Sequence, residues 1–254
     1  MKYFKRFLLM LQFLTAIPLP IKLNVQQEDF GKGLVFAPVV GLVLGGVLMG
    51  SYYGLRILFP QYQTAVFIVI LYILLTGGLH LDGLGDTFDG VFSNRSKEKI
   101  LEIMRDSRVG TNAVLAVVSI LLVNSALLAG MGQAEAPKII LLMPVAGRIG
   151  SLISTGVSNY ARSGEGLGKS FIDYCGVREI AVGLPIYGVI FFAAAGTAGL
   201  MLAAVPVVSA YFLVKMLGRK IGGATGDILG AVCELNQTIF LVAAFIFLTL
   251  GYRL

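Results

Sequence analysis

The sequence predicts an all-α, polytopic integral membrane protein, and three observations carry that prediction. Of 254 residues, 57% are apolar and only 13% charged. Mean hydropathy is +0.86, a composition outside the range of ordinary soluble domains. Several apolar runs reach the ~17–25 residues a helix needs to cross ~30 Å of hydrocarbon. The basic residues are also unevenly placed along the chain. No linker or long polar stretch divides it, so residues 1–254 read as a single domain.

The first stretch, MKYFKRFLLMLQFLTAIPLP, mimics a signal peptide but lacks a small-x-small cleavage site and carries Pro18 and Pro20 instead. It reads as an amphipathic segment at the cytoplasmic interface. Apolar runs then predict spans at 34–59, 62–81, 110–131, 138–160, 180–197, 200–217 and 227–250. With the N-terminus inside, segments 1–33, 82–109, 160–179 and 215–226 hold sixteen of the twenty Lys and Arg residues, as the positive-inside rule requires. That rule also divides the long run 180–217. Read as one helix, it would put Lys215, Arg219 and Lys220 outside, and Gly196, Gly199 and Pro206 permit a break. Seven crossings follow, with the chain's start inside and its end outside, in a plasma or inner membrane. Gly46, Gly50 and Gly54 form a small-residue stripe suited to helix packing in lipid.

Nearly all acidic residues fall on the same side as the basic ones, so chemistry is expected at the cytoplasmic surface. The second span leads into GGLHLDGLGDTFDG (77–90). Continued as a helix through residue 89, it would place Asp82, Asp86 and Asp89 on one face at i, i+4 and i+7. Carboxylates ~6 Å apart repel by a few kcal/mol at an effective dielectric near 20, and a helix C-terminus disfavours them further. A divalent cation removes both penalties. Oxygen-only donors favour Mg²⁺ or Mn²⁺ over Zn²⁺, and Mg²⁺ bridges carboxylates to phosphates. His80 is either a catalytic group or a residue that packs or caps the helix end.

A short interfacial amphipathic helix is expected over 96–106, N-capped by Ser96, with an apolar stripe of Ile100, Ile103 and Met104. Glu102 and Asp106 lie one turn apart and point to the aspartate cluster. Arg105 and Arg108 are candidates to balance charge or hold phosphate. In GGATGDILGAVCEL (222–235), a glycine-rich loop opens the last span as an anion site, and Asp227 and Glu234 share a face. Arg148 and Glu234, both inside spans, are either functional groups or a buried pair. SGEGLGKS (163–170) imitates a phosphate-binding loop but lacks its first glycine and its preceding strand. Arg162 and Lys169 remain phosphate-holding candidates. Cys175 and Cys233 have neither disulfide nor metal spacing.

Together FLTAIPLP, GGLHLDGLGDTFDG, ILEIMRDSRVGTN, the mid-span Gly147–Arg148, YARSGEGLG and GGATGDILGAVCEL resemble the cobalamin synthase family, adenosylcobinamide-GDP ribazoletransferase. They recur in order over nearly the whole chain. Ala16 departs from the basic residue the family tends to have there, and Arg105 from its lysine. The resemblance implies an Mg²⁺-dependent transfer. A hydroxyl of α-ribazole, or of its 5′-phosphate, attacks the phosphorus of adenosylcobinamide-GDP nearer the cobinamide and expels GMP. Asp82, Asp86 and Asp89 would hold the metal, with Asp106, His80 and Asp227 as catalytic candidates. Glu102, Arg105, Arg108, Arg148, Arg162, Lys169 and Glu234 would bind substrate. Expected partners are these substrates, the bilayer and either a second copy or other corrinoid-pathway enzymes, with no nucleic acid. Two rival readings differ in signature. A CDP-alcohol phosphotransferase or membrane prenyltransferase also pairs aspartates with Mg²⁺, but residues 93–94 are Ser-Asn where the former's motif has Ala-Arg. A cation transporter would spread carboxylates through the midplane and both mouths.

Overall fold

The computed structural model describes residues 2–254; Met1 lies outside the described residues. It consists of eleven α-helices in chain order: α1 (Lys2–Leu14), α2 (Gln27–Gly33), α3 (Ala37–Leu58), α4 (Gln61–Thr76), α5 (Leu79–Val91), α6 (Lys97–Ile103), α7 (Thr111–Gly130), α8 (Ala136–Gly156), α9 (Leu167–Asp173), α10 (Val177–Gly218) and α11 (Gly226–Thr249). Among the described residues the one β feature is an isolated parallel bridge between Tyr160 and Ala224.

By length and composition five helices can cross a membrane: Gln27–Leu58, α7, α8, α10 and α11, with α4 and α5 together making a sixth. The expected seven separates α10 into two arms. At Ala195 (φ −145°, ψ 17°) and Gly196 (φ 58°, ψ −142°) the backbone leaves helical geometry. The chain reverses there, because the Tyr187 hydroxyl donates to the Ala203 carbonyl at 3.0 Å. In a straight helix those residues would stand ~24 Å apart at 1.5 Å per residue. A glycine in the left-handed region is what permits so sharp a turn.

The central helix is α8, whose side chains are almost all buried against α3, α10 and α11. Its contact with α3 corrects the expected glycine stripe. Gly46, Gly50 and Gly54 have nothing within 4 Å of where a Cβ would stand. Gly41 and Gly45 make the contact: a Cβ on the first would stand 2.7 Å from the Val145 Cα, and one on the second would strike the Leu141 carbonyl. Backbones that approach this closely gain dispersion contacts unavailable to larger side chains.

Segments expected on one side meet at one end of the bundle. Arg6 of α1 is buried and pairs with Asp29 of α2 at 3.0 Å, while Lys5 reaches the same carboxylate at 2.5 Å. Lys220 donates to the Val91 carbonyl at 2.9 Å and Lys215 to that of Val157 at 2.9 Å. At the other end Lys138 donates to the Leu254 carbonyl at 2.6 Å.

Candidate active site

The second span does not continue to residue 89. Gly77 and Gly78 both take left-handed conformations, φ 63° and 70°, and α5 turns away from α4 by 92°. Two residues in that region end one helix and begin another. Asp82 therefore sits in the first turn of α5, where the dipole favours negative charge, and the expected C-terminal penalty is reversed. The i, i+4, i+7 spacing survives, so Asp82, Asp86 and Asp89 still share a face of α5.

Glycines then bring α5 against α11. A Cβ on Gly83 would stand 3.0 Å from the Asp227 Cα, and one on Gly230 would stand 3.3 Å from the His80 Cα. The two backbones touch, which sets Asp227 beside Asp82 and Asp86. A third segment arrives through the bridge at Tyr160. Ala161 N–H donates to the Ala224 carbonyl at 2.9 Å and Ala224 N–H to that of Asn159 at 2.8 Å. Arg162, just beyond, donates to Asp227 Oδ2 at 2.8 Å. Thr225 caps α11 by accepting from the Ile228 N–H at 3.3 Å, so the helix N-terminus opens on the same space.

That space is a cavity of about 430 Å³. Asp82, Asp227, Arg105, Arg162, Tyr160 and Glu165 supply its polar rim; His80, Ser151 and Thr155 lie deeper, and Leu79, Phe13, Phe171 and Leu229 give it an apolar side. Asp86 adjoins it and feels the charges of Asp82, Asp227 and Arg162. Asp227 is paired with Arg162, whereas the carboxylates of Asp82 and Asp86 make no side-chain hydrogen bond or ion pair among the described residues. Asp82, Asp86 and Asp227 supply oxygen donors of the kind Mg²⁺ takes, although their ligand oxygens do not all stand within 4.8 Å of one another.

Other candidates fall elsewhere. Asp89 spends both oxygens on the start of α7, accepting from Gly110 N–H at 2.6 Å and Ala113 N–H at 2.9 Å. It caps that helix from another element, and a Cβ on Gly110 would stand 2.5 Å from Asp89 Oδ1. The helix expected over 96–106 ends at Ile103, and the Ser96 side chain makes no capping bond. Asp106 lies past that end and binds Arg108 at 2.6 Å. The guanidinium's hydrogen bonds hold the Asp106 carboxyl down to about 2. Glu102 pairs in solvent with Lys99 at 2.7 Å. Lys169 faces Glu165 and Asp173 at 3.4 and 3.6 Å. Glu102, Asp106, Arg108 and Lys169 do not line the cavity; Arg105 does.

Arg148 and Glu234 belong to a buried network, joined through a residue the sequence reading missed. Arg148 Nη1 donates to the Tyr72 hydroxyl at 2.9 Å, and that hydroxyl donates to Glu234 Oε1 at 2.6 Å. Gln237 donates to both Tyr72 and Glu234, at 2.8 and 3.0 Å. Tyr72 sits mid-span in a featureless apolar run, so no local signal marked it. His80, Cys233 and Glu234 offer ligand atoms within 4.8 Å of one another, but the Arg148 guanidinium already supplies positive charge there.

Bundle and cavity first define a class: a multi-pass membrane protein whose carboxylates and arginines are gathered around one cavity. Residues 6–245 match the family model described as cobalamin-5-phosphate synthase (CobS), and the chain belongs to that family. A protein of Acetivibrio thermocellus named adenosylcobinamide-GDP ribazoletransferase is 58% identical over 247 residues, 97% of this chain and 100% of its own length. One of the same name from Clostridium acetobutylicum is 55% identical, over 96% of this chain and 97% of its own. A third, from Alkaliphilus metalliredigens, is 42% identical, over 97% and 96%. No solved structure matches the chain significantly.

Proposed function

We propose that the cavity joins adenosylcobinamide-GDP to α-ribazole, or to its 5′-phosphate, at the cytoplasmic face of the cell membrane. The acceptor hydroxyl attacks the phosphorus nearer the cobinamide, the P–O–P bond breaks, GMP leaves, and the hydroxyl proton passes to base. The observation that carries this reading is the pair of unpartnered carboxylates, Asp82 and Asp86, beside Asp227 and Arg162. Bound Mg²⁺ would neutralise the diphosphate and polarise the phosphorus being attacked. Asp82 and Asp86, with Asp227, would hold it. Arg162 and Arg105 can reach phosphate oxygens from the rim, and the N-terminus of α11 offers backbone N–H groups to the same anion. In-line phosphoryl transfer depends mostly on such positioning and charge compensation.

The test is GMP release from the GDP-activated corrinoid by purified protein in lipid. Release that requires both α-ribazole and Mg²⁺ is expected. Release without acceptor, or undiminished after EDTA treatment, refutes the proposal.

A further inference from the structure

The cavity has a second half that phosphate chemistry does not use. Phe13, Leu14, Leu34, Leu79, Phe171 and Leu229 give it a hydrocarbon lining, with Phe13 and Phe171 in contact. It begins three residues from the anionic centre on α5 and two on α11, since Leu79 and Asp82, like Leu229 and Asp227, line the same space. Its aromatic part is braced. Phe13 and Phe171 have ring centroids 5.0 Å apart, and Phe30 stands edge-on to both at 6.3 and 5.5 Å. His80 and Ser151 also line the cavity; Ser151 Oγ is buried without a hydrogen-bond partner, as is His80 Nδ1, which stands 4.0 Å from Glu234 Oε1. Buried polar atoms left unpaired beside a cavity mark where a ligand's own polar atoms complete the bonding.

We propose that this wall is the subsite for the base of the acceptor nucleoside, taken as a flat, weakly polar aromatic ring lying against Phe13 and Phe171. The inference rests on the reading of the reaction above. Among the flat or ring-shaped parts of the two substrates, the wall discriminates by polarity. Guanine carries an exocyclic amine and a carbonyl, and hydrocarbon neighbours would leave each desolvated without a partner, at about 1–3 kcal/mol apiece. A corrin rimmed with amides meets the same objection and is large for a 430 Å³ space. A benzimidazole-type base has no such edge groups and presents only ring nitrogens. Seated there, its sugar points toward the carboxylates, and the leaving guanosine monophosphate departs on the open, charged side.

Binding of α-ribazole and of GMP to the full-length protein, measured separately by calorimetry without the corrinoid donor, tests this. Phe13 is only half-buried, so Phe13→Leu should fold, as a thermal melt will verify. Stacking of the kind lost is expected to weaken α-ribazole binding about two- to tenfold. Phe13→Tyr keeps the ring and should restore it. GMP affinity should stay constant in both, and Phe247→Leu, at the far end of α11, should change neither. An α-ribazole affinity indifferent to Phe13→Leu, or a loss that falls on GMP instead, overturns the subsite. Wild-type GMP release reports on the reaction independently: turnover without ring-dependent binding refutes the subsite alone, and ring-dependent binding without turnover refutes the reaction reading.

Discussion

Asp82, Asp86 and Asp89 are one residue type on one helix face, yet their surroundings separate them. Asp89 is consumed by the N–H groups of Gly110 and Ala113, while the other two are free. Asp82→Asn and Asp86→Asn should each lower GMP release by about 10²-fold or more with little change in melting temperature. They should also weaken Mn²⁺ binding followed by electron paramagnetic resonance. Asp89→Ala should instead cost stability, about 0.5–2 kcal/mol as for other lost helix caps, visible in a thermal melt. The carboxyl of Asp106, held near 2 by Arg108, stays ionised throughout the working range. Its folded value is depressed, so the pair's contribution to stability is present above about 4 and lost only as pH falls toward 2. A pH–rate profile of Asp106→Asn should therefore keep its acid limb above pH 4; a displaced limb would show that Asp106 takes part in proton transfer.

At the scale of elements, glycines decide which helices touch. Gly83 and Gly230 let α5 lie on α11, and Gly41 and Gly45 let α3 lie on α8. Gly230→Ala should cost about 1–3 kcal/mol, since backbone must shift to admit the methyl, and lower activity by moving Asp227. Gly50→Ala, in open space, should leave both melting temperature and turnover unchanged. Here the sequence was half legible. Small-residue spacing announced close packing on α3 but not which register used it, because Gly41, Gly45, Gly46, Gly50 and Gly54 fit several helix faces equally. The break at Gly77–Gly78 was likewise written in the chain as a glycine pair, and the apolar run before it hid that signal. By contrast the Asp82–Asp86 part of the acidic spacing, the Arg162 loop and the glycine-rich start of α11 each carried their own local pattern, and these three converge, while Asp89 caps α7. Tyr72 could not be found, since its meaning comes only from partners 76 to 165 residues away. Tyr72→Phe should remove the hydroxyl shared by Arg148, Glu234 and Gln237 and cost about 1–3 kcal/mol, read from melting in detergent.

Across the whole molecule the membrane class was plain from composition, and the reversal of α10 from the demand that its lysines return to one side. The cavity draws on α1, α5, the 160–166 loop, α8, α9 and the start of α11, so distant parts of the chain must assemble before any substrate can be held. The contact between Gly83 and Asp227 has a further consequence for synthesis. A ribosome delivers residue 227 after α1, α5, α8 and the Arg162 loop have been made. Until α11 enters the bilayer, the nascent chain holds Asp82 and Asp86 without the Asp227 that completes their group.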